Sequence, residues 1–194
     1  MCLRAAPVFR RAVAFGAYDG VLRELIHLLK YQRVQPVASV LGRLLGQAVA
    51  AAQLPPDLVA IPVPLYKRKQ RERSFNQAEE IARALVRSGL VTGIQLDTSS
   101  LARTRQTVSQ TGLTRHQRRA NLRGAFSVVK PDRVAQRNVL LVDDVMTTGT
   151  TAGECARILL QAGAKQVFVV TVARAVKETA MHVQLRERVQ TVHA

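Results

Sequence analysis

The run Asn138-Val139-Leu140-Leu141-Val142-Asp143-Asp144-Val145-Met146-Thr147-Thr148-Gly149-Thr150-Thr151 constrains this chain more than any other part of it. Val139 to Val142 is a short, apolar, valine- and leucine-rich stretch of the kind that makes a parallel strand buried on both faces. Two adjacent carboxylates follow it, which packing alone does not require. Thr147 to Thr151 then offer hydroxyls and a glycine where the backbone must turn, and residues 152–162 read as a helix. That order places N–H groups and hydroxyls at a helix N-terminus, where unpaired donors and the helix dipole favour a phosphate. Carboxylates beside it can accept hydrogen bonds from a sugar diol, so the run describes a site for a phosphorylated ribose. An ordinary strand–turn–helix connection needs one capping residue, whereas here two acids, four threonines and a glycine stand in sequence.

The rest of the chain supplies the frame. Leu58 to Pro62 and residues 166–173 are two further apolar strands, and Gly163-Ala164 stops the helix between the last pair, as a right-handed βαβ crossover requires. Ala12 to Ala17 reads as a short strand. Asp19 is a plausible cap for a helix in which Val21, Leu22, Leu25, Ile26, Leu28 and Leu29 recur at helical spacing up to Lys30-Tyr31. A second helix is expected over 37–51, ending before Leu54-Pro55-Pro56, and a third over 76–87. Arg174 to Ala194 reads either as a terminal helix over 178–189 or as a partly ordered tail. No repeat or Gly/Ser linker divides the chain. The expectation is one α/β domain over 1–194, with a mainly parallel sheet flanked by helices: a helical N-terminal cover (1–56), a core (57–174) and a tail (175–194).

The 138–151 run resembles the phosphoribosyl pyrophosphate (PRPP) motif of type I phosphoribosyltransferases. That resemblance implies that Asp143 and Asp144 hold the ribose hydroxyls and, indirectly through PRPP, Mg²⁺. It implies that Thr147, Thr148, Gly149, Thr150 and Thr151 wrap the 5′-phosphate. Beyond the Leu58–Pro62 strand, Val63-Pro64-Leu65 leads into Tyr66-Lys67-Arg68-Lys69-Gln70-Arg71-Glu72-Arg73-Ser74-Phe75-Asn76-Gln77. The prolines restrict the chain as it leaves the sheet, so the basic residues are expected on a loop. By resemblance that loop, with Lys67, Arg68, Lys69, Arg71 and Arg73, contacts pyrophosphate. Pro-Val-Pro-Leu followed by Arg-x-Phe-Asn-Gln is similar to the ComF family of phosphoribosyltransferase-like proteins linked to DNA uptake, which usually has glycine where this chain has Ser74. Leu101-Ala102-Arg103-Thr104-Arg105-Gln106-Thr107, then Gln110, Gly112-Leu113, Arg115, Arg118 and Asn121 to Phe126, again look like that family. They imply a flexible lid carrying Arg103, Arg105, Gln110, Arg115, Arg118 and Asn121. The residues alone also read as a solvated basic helix from about Thr114 to Leu122, and a lid can contain one. Tyr18, Gly20, Arg23 and Leu29-Lys30-Tyr31 match the family stretch ahead of the core, and are read as a helical pair covering the sheet rather than as substrate contacts.

Charge and cysteine content bound the function. The 194 residues carry a formal net charge of +16, concentrated in Lys67 to Arg73 and Arg103 to Arg123, which attracts any polyanion: PRPP, RNA or single-stranded DNA. Single-strand binders usually add stacking aromatics, and this chain has no Trp and three Tyr. Two cysteines make no disulfide scaffold, no long apolar run suggests membrane insertion, and the N-terminus lacks the apolar core of a signal peptide, so a cytoplasmic protein is expected. ComF proteins commonly begin with paired zinc-binding cysteines, and Cys2 looks like the last of them. One cysteine cannot hold tetrahedral zinc, so no zinc is expected in this chain, through either a late start assignment or loss of the finger. Nothing in the sequence sets an oligomeric state or names the acceptor. Two functions fit: a Mg²⁺-dependent phosphoribosyltransferase that releases pyrophosphate, or a non-catalytic PRPP- or nucleotide-binding protein that contacts single-stranded DNA during uptake.

Overall fold

The computed structural model describes residues 7–32, 34–107 and 114–175, and for 115, 116 and 119 the backbone alone. In chain order the elements are β1 (Arg11–Ala17), α1 (Gly20–Tyr31), α2 (Pro36–Ala51), β2 (Leu58–Pro62), α3 (Lys67–Arg73), α4 (Gln77–Arg87), β3 (Gln95–Leu96), β4 (Leu101–Arg103), α5 (Arg115–Leu122), β5 (Phe126–Val128), a 3₁₀ turn (Pro131–Arg133), β6 (Asn138–Met146), α6 (Thr150–Gln161) and β7 (Gln166–Arg174). Five strands form one parallel sheet in the order β1-β7-β6-β2-β3, and β4 pairs antiparallel with β5 in a separate ribbon. The expected α/β architecture is therefore present. Among the described residues, no helix is long and apolar enough to cross a membrane.

The apolar strands take the centre because both of their faces are covered. On one face Ile26 and Leu29 of α1, Leu41 and Leu45 of α2, and Ile81 and Leu85 of α4 pack on Leu140, Val142, Val170 and Val172. On the other, Cys155, Ala156 and Leu159 of α6 pack on Val139, Leu141, Val167 and Val169, together with Leu122 of α5 and Phe126 of β5. Burying one Leu, Ile or Val side chain contributes roughly 1.5–3 kcal/mol, so the alternation of core residues along β6 and β7 fixes their register strongly.

The structure departs from the sequence reading at several places. The expected short strand forms as β1, but it joins the main sheet beside β7, so the N-terminal segment is not a helical cover alone. Strand β6 does not end at Val142 but continues through both aspartates to Met146, because β7 stays paired with it as far as Met146 and Arg174. The basic segment 67–73 is not a loop but a helix, α3. Lys, Arg, Gln and Glu are all good helix formers and need no apolar face to form two turns. Ser74 ends it in the left-handed region, at φ 69°, where a glycine would sit without steric cost. The basic stretch after β4 contains the expected helical turns, and the β4–β5 ribbon closes its two ends together. The segment 178–189 lies outside the described residues.

A Cβ on Gly42 of α2 would lie 2.4 Å from that of Ala84 on α4, so Gly42→Ala should destabilise the chain by about 1–3 kcal/mol. Ser74→Gly should stabilise it by about 1 kcal/mol. Urea unfolding of the two variants checks both signs.

Candidate active site

The strand order reverses between β2 and β6. From β2 the chain proceeds to β3 on one side, and from β6 to β7 on the other, with α4 and α6 on opposite faces. The two strands stay paired up to Pro62 and Val142, where Val63 N–H donates to Val142 O at 2.9 Å, and then part. Beyond the carboxyl ends of strands at such a switch point lies the crevice in which open α/β sheets bind ligands.

The far wall of this crevice is the end of β6 and the loop after it. Asp143, Val145, Met146, the residues from Thr147 to Ala152, and Thr171 of β7 line a small open hollow. Gly149 stands at the N-cap of α6 with φ 71°, and no side chain caps that helix end. A Cβ there would meet nothing closer than Met146 Sδ at 3.7 Å, so backbone conformation rather than space requires glycine. The Thr148 and Thr150 hydroxyls lie 2.8 Å apart across the turn. Thr147 and Thr148 are exposed, and Gly149, Thr150 and Thr151 half-buried. The predicted phosphate residues are thus brought together around one helix N-terminus, which suits an anion.

The two aspartates are not side by side. Within a strand, neighbouring side chains point to opposite faces, so Asp143 faces the hollow while Asp144 faces α1. There Lys30 Nζ meets Asp144 Oδ2 at 2.8 Å. Burial works against the Lys30 charge, but the attraction and hydrogen bond of Asp144 outweigh it and hold the ammonium above its ordinary pKa. Asp143 accepts the Asp144 backbone N–H at 2.9 Å. Burial, then repulsion from Asp144, pushes its carboxyl up to about 7. The sequence marks Lys30 as part of a covering helix. Its place in a family Leu-Lys-Tyr stretch was the only signal that it reaches the site.

The near wall is cationic. On α3 the residues Lys67, Arg68, Lys69 and Arg71 are exposed and Arg73 is half-buried. Arg73 Nη1 donates to Gln77 Oε1 at 2.8 Å, and its guanidinium lies 5.6 Å from the Tyr31 ring centre, which ties α3 to α4 and α1. Partial burial, then repulsion from Arg73, Arg103 and Lys30, draws the Lys69 ammonium below its usual pKa. Cations gathered against their own repulsion are the electrostatic form of a site prepared for an anion. Asn76 anchors this wall: its Nδ2 donates to Val63 O at 3.0 Å and its Oδ1 accepts Ala78 N–H at 3.1 Å.

The predicted lid residues divide into anchors and the rest. Arg103, on β4, is not free to swing. Its guanidinium lies 5.3 Å from the Phe126 ring centre and donates to Thr107, and its charge bears on Asp143. Its Nε is buried without a hydrogen bond among the described residues. Arg105 Nη2 donates to Asn121 O at 2.9 Å and Arg123 O at 2.8 Å, closing the end of α5. Glu154 of α6 accepts the Gly124 N–H at 3.2 Å and pairs with Arg157 at 2.7 Å, which joins the root of this segment to the phosphate-loop helix. Arg118 and Asn121 are half-buried on α5, Arg115 contributes described backbone only, and Gln110 lies outside the described residues.

A phosphate-shaped loop at the carboxyl end of a parallel strand, at a switch point, with a cationic wall opposite, defines a type I phosphoribosyltransferase-like protein. The uracil phosphoribosyltransferase family profile matches residues 29–194. The DNA utilization protein YhgH of Escherichia coli strain K12 is 37% identical over 174 residues, covering 87% of this chain and 74% of that protein. Competence protein F of Haemophilus influenzae is 36% identical over 179 residues, covering 90% and 77%. Among solved structures, a hypoxanthine phosphoribosyltransferase from Staphylococcus aureus is similar over 74% of this chain and 75% of its own, at 13% identity and a TM-score of 0.45. The chain belongs to the ComF family of phosphoribosyltransferase-like competence proteins.

Two measurements check the electrostatics. Lys30→Met leaves a largely buried Asp144 unpaired and should cost about 2–3 kcal/mol of stability, much of it recovered when Asp144→Asn is added. Asp143, with an ordinary value of 3.8 and about 7 in the fold, is protonated when folded at pH values where the unfolded chain has lost that proton. Its contribution is therefore full below about pH 4 and declines as pH rises through 7. Unfolding midpoints of wild type minus Asp143→Asn should fall across that window, and a flat difference would contradict the burial argument.

Proposed function

We propose that this chain binds PRPP with Mg²⁺ and transfers its phosphoribosyl group to an acceptor, releasing pyrophosphate. The observation that supports this best is the crevice between β2 and β6, with the threonine loop and Asp143 on one side and Lys30, Lys69, Arg73 and Arg103 converging on the other. In this reading Thr147 to Thr151 hold the 5′-phosphate at the start of α6. Asp143 and Asp144 accept the ribose hydroxyls from either face of β6, and the bond from Lys30 does not exhaust the acceptor sites of Asp144. The acceptor forms its bond to the anomeric carbon as the bond from that carbon to the pyrophosphate oxygen breaks. The cations of α3, Lys30 and Arg103 stabilise the charge that develops on the leaving group, and the β4–β5 ribbon with α5 shields the reacting centre from water.

Among the described residues no group of three or more His, Cys, Asp or Glu could hold a metal by itself. The two sequence-adjacent carboxylates Asp143 and Asp144, beside the threonine loop, suit Mg²⁺, which is commonly held by one or two carboxylates and the oxygens of a phosphorylated substrate. Asp143 and Asp144 would hold it through PRPP, and when bound it would neutralise pyrophosphate charge. Because phosphorylated sugars do not cross membranes unaided, this reading places the protein in the cytoplasm.

The second reading is a PRPP- or nucleotide-binding accessory protein that contacts single-stranded DNA. It is favoured by the names of the relatives and by Lys67, Arg68, Lys69 and Arg71, exposed together on α3. Calorimetry with PRPP and Mg²⁺ should show binding by wild type and none by Asp143→Asn/Asp144→Asn or by Gly149→Val, with pyrophosphate appearing when an acceptor panel includes the right base or amine. Wild type that does not bind PRPP contradicts the transferase reading, and wild type that binds neither PRPP nor a nucleotide contradicts both. Binding without pyrophosphate release, together with single-strand affinity that falls steeply with salt and is lost when the four α3 cations are reversed to Glu, favours the second.

A further inference from the structure

In β7, Thr171 stands directly across from Asp143 in the strand pairing. Both fall on the α6 side of the sheet, since Val170 and Val172 pack into the core beneath α1, α2 and α4 while Val169 packs beneath α6. The other residues of β7 from Val167 to Ala173 are buried and apolar, which makes a hydroxyl at this position an exception. Thr171 is 1% exposed, and its Oγ1 is sealed from solvent with no hydrogen-bond partner among the described residues. Yet the same residue borders the hollow made by Asp143 and the threonine loop.

A buried hydroxyl left without a partner costs about 1–3 kcal/mol. Valine has nearly the same shape, has a high strand propensity and would incur no such cost. Packing therefore does not account for threonine here. Because the residue borders the hollow, a turn about χ1 can bring the hydroxyl to face what enters it, beside a carboxyl, four threonine side chains and the start of a helix.

We propose that Thr171 is a ligand-binding residue of this site, its hydroxyl hydrogen-bonding the sugar–phosphate end of a phosphorylated pentose, directly or through one bound water, beside Asp143. This rests on the phosphoribosyl reading given above. Its place beside Asp143, on the hollow that the threonine loop also lines, puts it at the ribose 5-phosphate end rather than near the cations of α3. It should therefore act equally on ribose 5-phosphate and on PRPP.

The test compares wild type, Thr171→Val and Thr171→Ser as full chains. Ribose 5-phosphate alone and PRPP with Mg²⁺ are titrated by calorimetry, and stability is read by urea unfolding. The Val variant should be at least as stable as wild type yet bind both ligands about tenfold more weakly, while the Ser variant stays within about twofold. A hydroxyl that serves only the fold gives the reverse pattern, lower stability with unchanged affinity, and would overturn the proposal. Equal weakening in the Ser and Val variants would assign the effect to the methyl group and overturn it too. Wild type that binds ribose 5-phosphate but not PRPP sinks the transferase reading and leaves the Thr171 comparison decisive. Wild type that binds neither overturns both.

Discussion

The parting of β2 from β6 after Pro62 and Val142 is the constraint on which the site depends. Up to that point each strand satisfies the other's backbone. Past it, β6 continues with β7 alone, and its β2-facing edge opens towards the loop and helix ends. The hydrophobic cores on both faces hold β6 rigidly in the middle of the sheet, so Asp143, Asp144 and the turn at Gly149 project from a fixed base. Rigid elements that present a short loop are a sound platform for recognising one ligand geometry.

Electrostatics explains why this base is not simply a well-packed end of a sheet. A carboxyl raised to about 7, a Lys30–Asp144 pair on the opposite face and an ammonium depressed by partial burial and then by its cationic neighbours all lie around the same crevice. The raised carboxyl and the depressed ammonium each cost the unliganded fold something, and an incoming polyanion with its counter-cation would relieve the repulsion among the cations. Arg103 joins the two halves. It is rooted in the β4–β5 ribbon through Phe126 and Thr107 while its charge reaches Asp143, so the ribbon couples the segment above the site to its floor.

Much of the fold and the phosphate loop was legible because it is written locally. The apolar runs of β2, β6 and β7, the helical spacing of α1 and the Thr-Thr-Gly-Thr turn each carry their own signal within a few residues. What escaped depends on distant partners. The strand character of Asp143 to Met146 comes from β7, and the ribbon forms only because Leu101 to Arg103 meet Phe126 to Val128. Helix α3 is not legible in the sequence because it lacks the apolar period that marks a packed helix, and Ser74, which ends it, takes a conformation usually left to glycine. Lys30 and Thr171 sit within an apolar helix and an apolar strand, and only the three-dimensional arrangement brings them to the aspartates.

The proposed function requires that a phosphoribosyl ligand occupy the crevice at the end of β6. Hydrogen–deuterium exchange with and without PRPP and Mg²⁺ tests it most directly, because backbone donors at the start of α6 are the groups the phosphate would engage. Slowed exchange confined to residues 147–153 and to the facing segment from α3 to the start of α4 is the predicted result. Ligand binding that leaves 147–153 unprotected, or protects a different face of the sheet, would contradict the account.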